Sequence, residues 1–122
     1  MPYTLVIDDN RQTADALCQI LKLWGFQSRQ ALGPSAAMAI LTTEDPSLIT
    51  LDINMPGVDG FEVLGYLRRE PRLLNVPVIV ITSDDQPETA QRAMKGGASA
   101  IVIKPVMPDI LEETLKKIGV LK

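Results

Sequence analysis

The chain has 122 residues, 46% of them hydrophobic and 22% charged, with one cysteine, no histidine and a formal charge of −3. This is the balance of one ordinary globular domain, long enough to bury a core without staples. Lone Cys18 rules out an internal disulfide and fits a reducing compartment, while the acidic balance argues against direct nucleic-acid binding.

No run approaches the ~20 apolar residues of a membrane span. The opening Met1-Pro2-Tyr3 lacks the basic region and cleavage pattern of a secretory leader, so a cytoplasmic location is expected. In chain order, Tyr3 to Ile7 is an apolar strand that runs into Asp8 and Asp9. Asn10 reads as the cap of a helix whose Ala14, Leu17, Cys18 and Leu21 share a face, with Gly25 ending it. The next candidate strand, Gln27 to Ala31, is polar and belongs at a sheet edge. Ser35 opens a helix through Leu41. Leu48 to Leu51 is apolar again and leads into Asp52.

Asp59 followed by Glu62 reads as a capping box before Phe61, Val63, Leu64 and Leu67. The strand at 77–82 delivers Thr82 and Ser83. Asp84 and Asp85 read as caps of a short helix that Pro87 starts, carrying Ala90, Ala93 and Met94 and closed by Gly96-Gly97. The strand at 100–103 delivers Lys104 and Pro105. Pro108 starts the last helix, with Ile110, Leu111, Leu115 and Ile118 expected inward. Cys18 and Trp24 read as packing residues. Continuous Val- and Ile-rich runs suit strands covered on both faces, as in a parallel sheet. Five strand–helix units predict an α/β three-layer sandwich with a five-stranded parallel sheet, one domain over residues 1–122.

Ligands bind outside the carboxyl ends of parallel strands. Asp8, Asp9, Asp52, Thr82 and Lys104 all follow such ends, so they converge in space. Two carboxylates about 4 Å apart repel by roughly 4 kcal/mol at an effective dielectric near 20. Lys104 supplies one compensating charge, and a hard divalent cation such as magnesium, which takes oxygen ligands, would supply more. A carboxylate can attack phosphorus to form an aspartyl phosphate. Such a transfer asks mainly for positioning and charge stabilisation, so it needs no histidine base.

Four segments together resemble the receiver domains of bacterial two-component response regulators. They are Val6-Ile7-Asp8-Asp9-Asn10, Leu51-Asp52-Ile53-Asn54-Met55-Pro56-Gly57-Val58-Asp59-Gly60, Ile81-Thr82-Ser83 and Lys104-Pro105. The resemblance covers essentially the whole chain and implies a flavodoxin-like fold with strand order 2-1-3-4-5 and five helices. It implies that Asp52 accepts a phosphoryl group from a phosphohistidine of a sensor histidine kinase or a histidine phosphotransfer protein. Magnesium would be bound by Asp9, Asp52 and the Asn54 backbone carbonyl, with Asp8 acting mostly through water. Thr82 and Lys104 would contact the phosphoryl oxygens, the Lys104–Pro105 peptide would be cis, and Asp84 would sit where receivers tune phosphate hydrolysis. The domain would switch a downstream effector rather than turn over a substrate.

One position departs from the family pattern. Ile101 stands where many receivers carry an inward-turning Tyr or Phe, three residues before the lysine. That keeps a phosphorylation-independent docking module as the alternative. A haloacid-dehalogenase-like phosphatase would want a second acid at position 54, where this chain has Asn54. Nucleotide-binding loops of the G-x-G-x-x-G or G-x-x-x-x-G-K-[ST] type are absent from the sequence.

Overall fold

The apolar runs form the middle and one edge of a parallel sheet in the computed structural model of the chain, which describes residues 2–57 and 59–122. Met1 and Val58, the second of them inside the motif that follows Asp52, lie outside the described residues. The strands are β1 (Thr4–Ile7), β2 (Ser28–Ala31), β3 (Leu48–Asp52), β4 (Val78–Thr82) and β5 (Ala100–Ile103). They alternate with α1 (Arg11–Lys22), α2 (Pro34–Leu41), α3 (Gly60–Arg69), α4 (Pro87–Lys95) and α5 (Pro108–Lys117). The spatial order is β2-β1-β3-β4-β5, with every pair parallel. This is the predicted flavodoxin-like arrangement.

Every residue of β1, β3 and β4 is buried, because these strands are covered on both sides. Successive side chains point to opposite faces of a strand, and two cores result. Leu5, Ile7, Ile49, Leu51 and Val80 pack toward α2, α3 and α4. Val6, Leu48, Ile79, Ile81 and Val102 pack toward α1 and α5. The two edges differ. β2 is polar, as expected, whereas apolar β5 is also an edge and leaves Ile103 39% exposed.

Local chemistry sets the helix boundaries. Asn10 caps α1 by accepting the Thr13 N–H. Asp59 caps α3 by accepting the Phe61 N–H, while the Glu62 N–H goes to the Asp59 carbonyl, so the expected capping box gives way to a simple side-chain cap. Gly57 adopts φ 75°, a left-handed conformation open to glycine. At Gly60 a Cβ would stand 2.6 Å from the Ile53 Cα, so glycine lets α3 begin against the exit of β3.

Three further expectations are corrected. Helix α2 starts at Pro34 with Gly33 as its cap, not at Ser35, because proline already has a helical φ. Gln86, not Asp84 or Asp85, is the N-cap of α4; Asp84 sits two residues earlier and accepts the Gln86 N–H. Ile110, expected inward, is 46% exposed. It lies one residue, about 100° of helix, from the buried position Leu111.

One arginine ties the end of the sheet opposite the aspartates. Arg68 donates from Nε to the Gly97 carbonyl at 2.8 Å. Its Nη1 donates to the carbonyls of Leu73, Leu74 and Val76 at 3.2, 2.9 and 2.9 Å. The turn before β4 and the turn before β5 therefore share one guanidinium.

Candidate functional site

The sheet register delivers the site residues to one place. Ile7 pairs with Leu51, so Asp8 leaves β1 at the level where Asp52 ends β3. Asp52 in turn pairs with Ile81, and Thr82 with Ile103, so Thr82 and Lys104 each project one residue further. Carboxylate oxygens of Asp8, Asp9 and Asp52 lie within 4.8 Å of one another. Asp8 and Asp52 are each 3% exposed, while Asp9 faces solvent.

The backbone and Lys104 together hold the two buried acids. Asp8 Oδ1 accepts the Asn10 N–H at 2.9 Å, and Asp52 Oδ1 accepts the Asn54 N–H at 2.8 Å. These matching turns fix both carboxylates at strand exits. Lys104 Nζ lies 3.1 Å from Asp52 Oδ2 and 4.0 Å from Asp8 Oδ2. One ammonium thus serves both buried acids, and Asp9 adds a third carboxylate to the cluster. Burial pushes the Asp8 carboxyl up to about 6, with the neighbouring Asp52 charge adding to the rise; the Asn10 N–H and Lys104 oppose it. A compact set of hard oxygen donors carrying excess negative charge fits a divalent cation of the magnesium kind.

Thr82 is completely buried at the other side of Asp52. Its hydroxyl donates to Asn54 Oδ1 at 2.8 Å and accepts the Asp84 N–H at 3.0 Å. Ser83 adds its N–H to the same Asn54 oxygen at 2.8 Å. The Lys104–Pro105 peptide is cis, as the resemblance implied.

The family model for the response regulator receiver domain matches residues 4–116. The chain belongs to that family. This receiver domain is 33% identical over 105 residues to the DNA-binding dual master transcriptional regulator RpaA of Synechocystis sp., covering 86% of this chain and 44% of that regulator. It therefore spans less than half of the length of that curated relative. Its structure is similar to the signal receiver domain of a DNA-binding response regulator from Colwellia psychrerythraea 34H. That pair has a TM-score of 0.88 and 29% identity, covering 96% of this chain and 97% of the other. A response regulator from Burkholderia pseudomallei, solved with a phosphorylated aspartic acid, a calcium ion and citrate, matches with a TM-score of 0.84 and 27% identity. It covers 94% of this chain and 66% of that one.

Within the receiver domain, sequence reasoning brought together Asp8, Asp9, Asp52, Thr82 and Lys104, and the fold does the same. It missed the Asn54 side chain, for which only the backbone carbonyl was assigned a part. The available signal was an amide two residues beyond Asp52 with a threonine at the end of the neighbouring strand. Ile101 is half-buried and packs against the core beneath α4. Asp84 accepts from both the Gln86 N–H and the Thr89 hydroxyl, which hold its carboxyl below the usual carboxylate range.

Proposed function

We propose that Asp52 is the phosphoacceptor of a two-component relay, served by a sensor histidine kinase or a histidine phosphotransfer protein. The observation that carries this reading is the position of Asp52, inside the acidic cluster and 3.1 Å from Lys104 Nζ. A magnesium ion would be held by Asp8, Asp9, Asp52 and the Asn54 carbonyl, and would supply charge neutralisation at the phosphoryl group. An ionised Asp52 oxygen attacks phosphorus, the P–N bond of the phosphohistidine breaks, and its electron pair leaves with the imidazole. The carboxylate is already deprotonated, so no base is required. The Lys104 ammonium and the Thr82 hydroxyl stabilise the phosphoryl oxygens.

The approach to Asp52 also suits a protein donor. A groove of about 550 Å³ opens beside Asp8 and Lys104, walled by Thr13, Ala16, Ile20 and Pro105. Its walls are mainly apolar, as a docked partner requires. Among the described residues no helix is long and apolar enough to cross a membrane. On this reading residues 1–122 are one regulatory domain that assists its own phosphorylation and dephosphorylation.

A small phosphodonor with magnesium should add one phosphoryl mass to the wild type and none to Asp52→Asn. Equal labelling of Asp52→Asn would move the nucleophile elsewhere. No labelling of either would favour a docking module that works without phosphate.

A further inference from the structure

We propose that the Asn54 side chain is a positioning residue that holds Thr82 away from the phosphoryl group and so sets how readily the domain switches. The inference rests on Asp52 being the phosphoacceptor. A threonine hydroxyl has one proton to donate. In this structure that proton is given to Asn54 Oδ1 at 2.8 Å, and the hydroxyl oxygen also accepts the Asp84 N–H at 3.0 Å. Thr82 is 0% exposed, so water offers it no other partner. Donation to a phosphoryl oxygen on Asp52 therefore requires that the bond to Asn54 break.

The orientation of the amide is fixed by its neighbours. The Ser83 N–H can only donate, and it meets the same Asn54 atom at 2.8 Å, so that atom is the oxygen. The Ser83 hydroxyl adds a longer contact at 3.3 Å. Three donors at the start of the β4–α4 loop thus converge on one acceptor, itself two residues past Asp52. A charged phosphoryl oxygen is a stronger acceptor than a neutral amide. The exchange is favourable, but its driving force is reduced by what Asn54 already offers. Because Asn54 is exposed, its side chain can be removed without opening the core.

The test is beryllofluoride binding with magnesium, beryllofluoride standing in for the phosphoryl group. Asn54→Ala should bind about fivefold more tightly than the wild type, the equivalent of one neutral hydrogen bond. In a Thr82→Ala background the same substitution should change affinity by less than about twofold, since the contested proton is gone. A merely structural role for Asn54 would lower affinity in both backgrounds. Amide chemical shifts give a second readout in the free protein. In Asn54→Ala the Thr82 and Ser83 resonances should move toward their positions in the beryllofluoride-bound wild type. Unchanged or weaker binding by Asn54→Ala, or shifts unrelated to the bound form, would overturn the proposal. Failure of the wild type itself to bind beryllofluoride would instead remove the phosphoacceptor reading.

Discussion

On one side of Asp52 the site is held by charge. Lys104 Nζ lies 3.1 Å from Asp52 Oδ2 and 4.0 Å from Asp8 Oδ2, against two carboxylates that are almost fully buried. On the other side it is held by neutral groups, where Asn54 Oδ1, on an exposed residue, gathers the buried Thr82 hydroxyl and the Ser83 N–H. Breaking a buried ion pair by deleting one partner costs about 3–5 kcal/mol. A neutral hydrogen bond contributes about 1 kcal/mol net. The charged half is therefore expensive to disturb, and the neutral half is cheap to exchange. Such a site keeps its reacting groups still while the β4–α4 loop changes partners.

The strongest way to break this contrast is Lys104→Met. Without magnesium at neutral pH it should lose about 3 kcal/mol of stability in urea unfolding, since Asp8 and Asp52 lose their shared cation. Saturating magnesium should recover most of that loss. A deficit of the same size with and without magnesium would mean that the ion does not sit among the carboxylates.

A smaller effect is expected from pH. The Asp8 carboxyl, ordinarily near 3.8, stands at about 6 in the folded chain, so folding holds its proton. Its contribution is fully present below about pH 4 and is lost as pH rises through 6. The metal-free protein should lose on the order of 2 kcal/mol across that window. Thermal or urea melts at a series of pH values would show the slope, and Asp8→Asn should flatten it. A slope that survives in Asp8→Asn would assign it to another group.

The smallest effect belongs to the neutral side. Ser83→Ala removes only the 3.3 Å contact to Asn54 from an exposed residue, and should change stability by less than about 0.5 kcal/mol. A loss comparable to that of Lys104→Met would erase the distinction between the two halves.

The same division marks what could be read from the sequence. Asp8, Asp52, Thr82 and Lys104 were legible because each follows an apolar run, and parallel strands bring their carboxyl ends together. Polar Ser28, Arg29 and Gln30 placed β2 at an edge for an equally simple reason. The direction of the Asn54 side chain was not legible, since it depends on the separation of two loops after β3 and β4. Ile110 reads as a core residue on hydrophobicity alone, whereas it is set off the buried stripe of its helix. At α4, two adjacent aspartates suggested a cap, but the chain enters the helix one residue later, at Gln86.

The four carbonyls gathered by Arg68 have a mechanical consequence. Gly97 lies just past the end of α4, so the guanidinium pins that end to the turn at Leu73, Leu74 and Val76. The helix has nine residues and is about 13 Å long at 1.5 Å per residue. Its other end adjoins the loop that carries Thr82 and Ser83. A lever anchored at its far end converts a push at the near end into rotation. A displacement of roughly 1 Å over that length is a tilt of about 4°. Lysine at position 68 would keep the charge but not the fork that spans both turns, and the fulcrum would soften with the rest of the site intact.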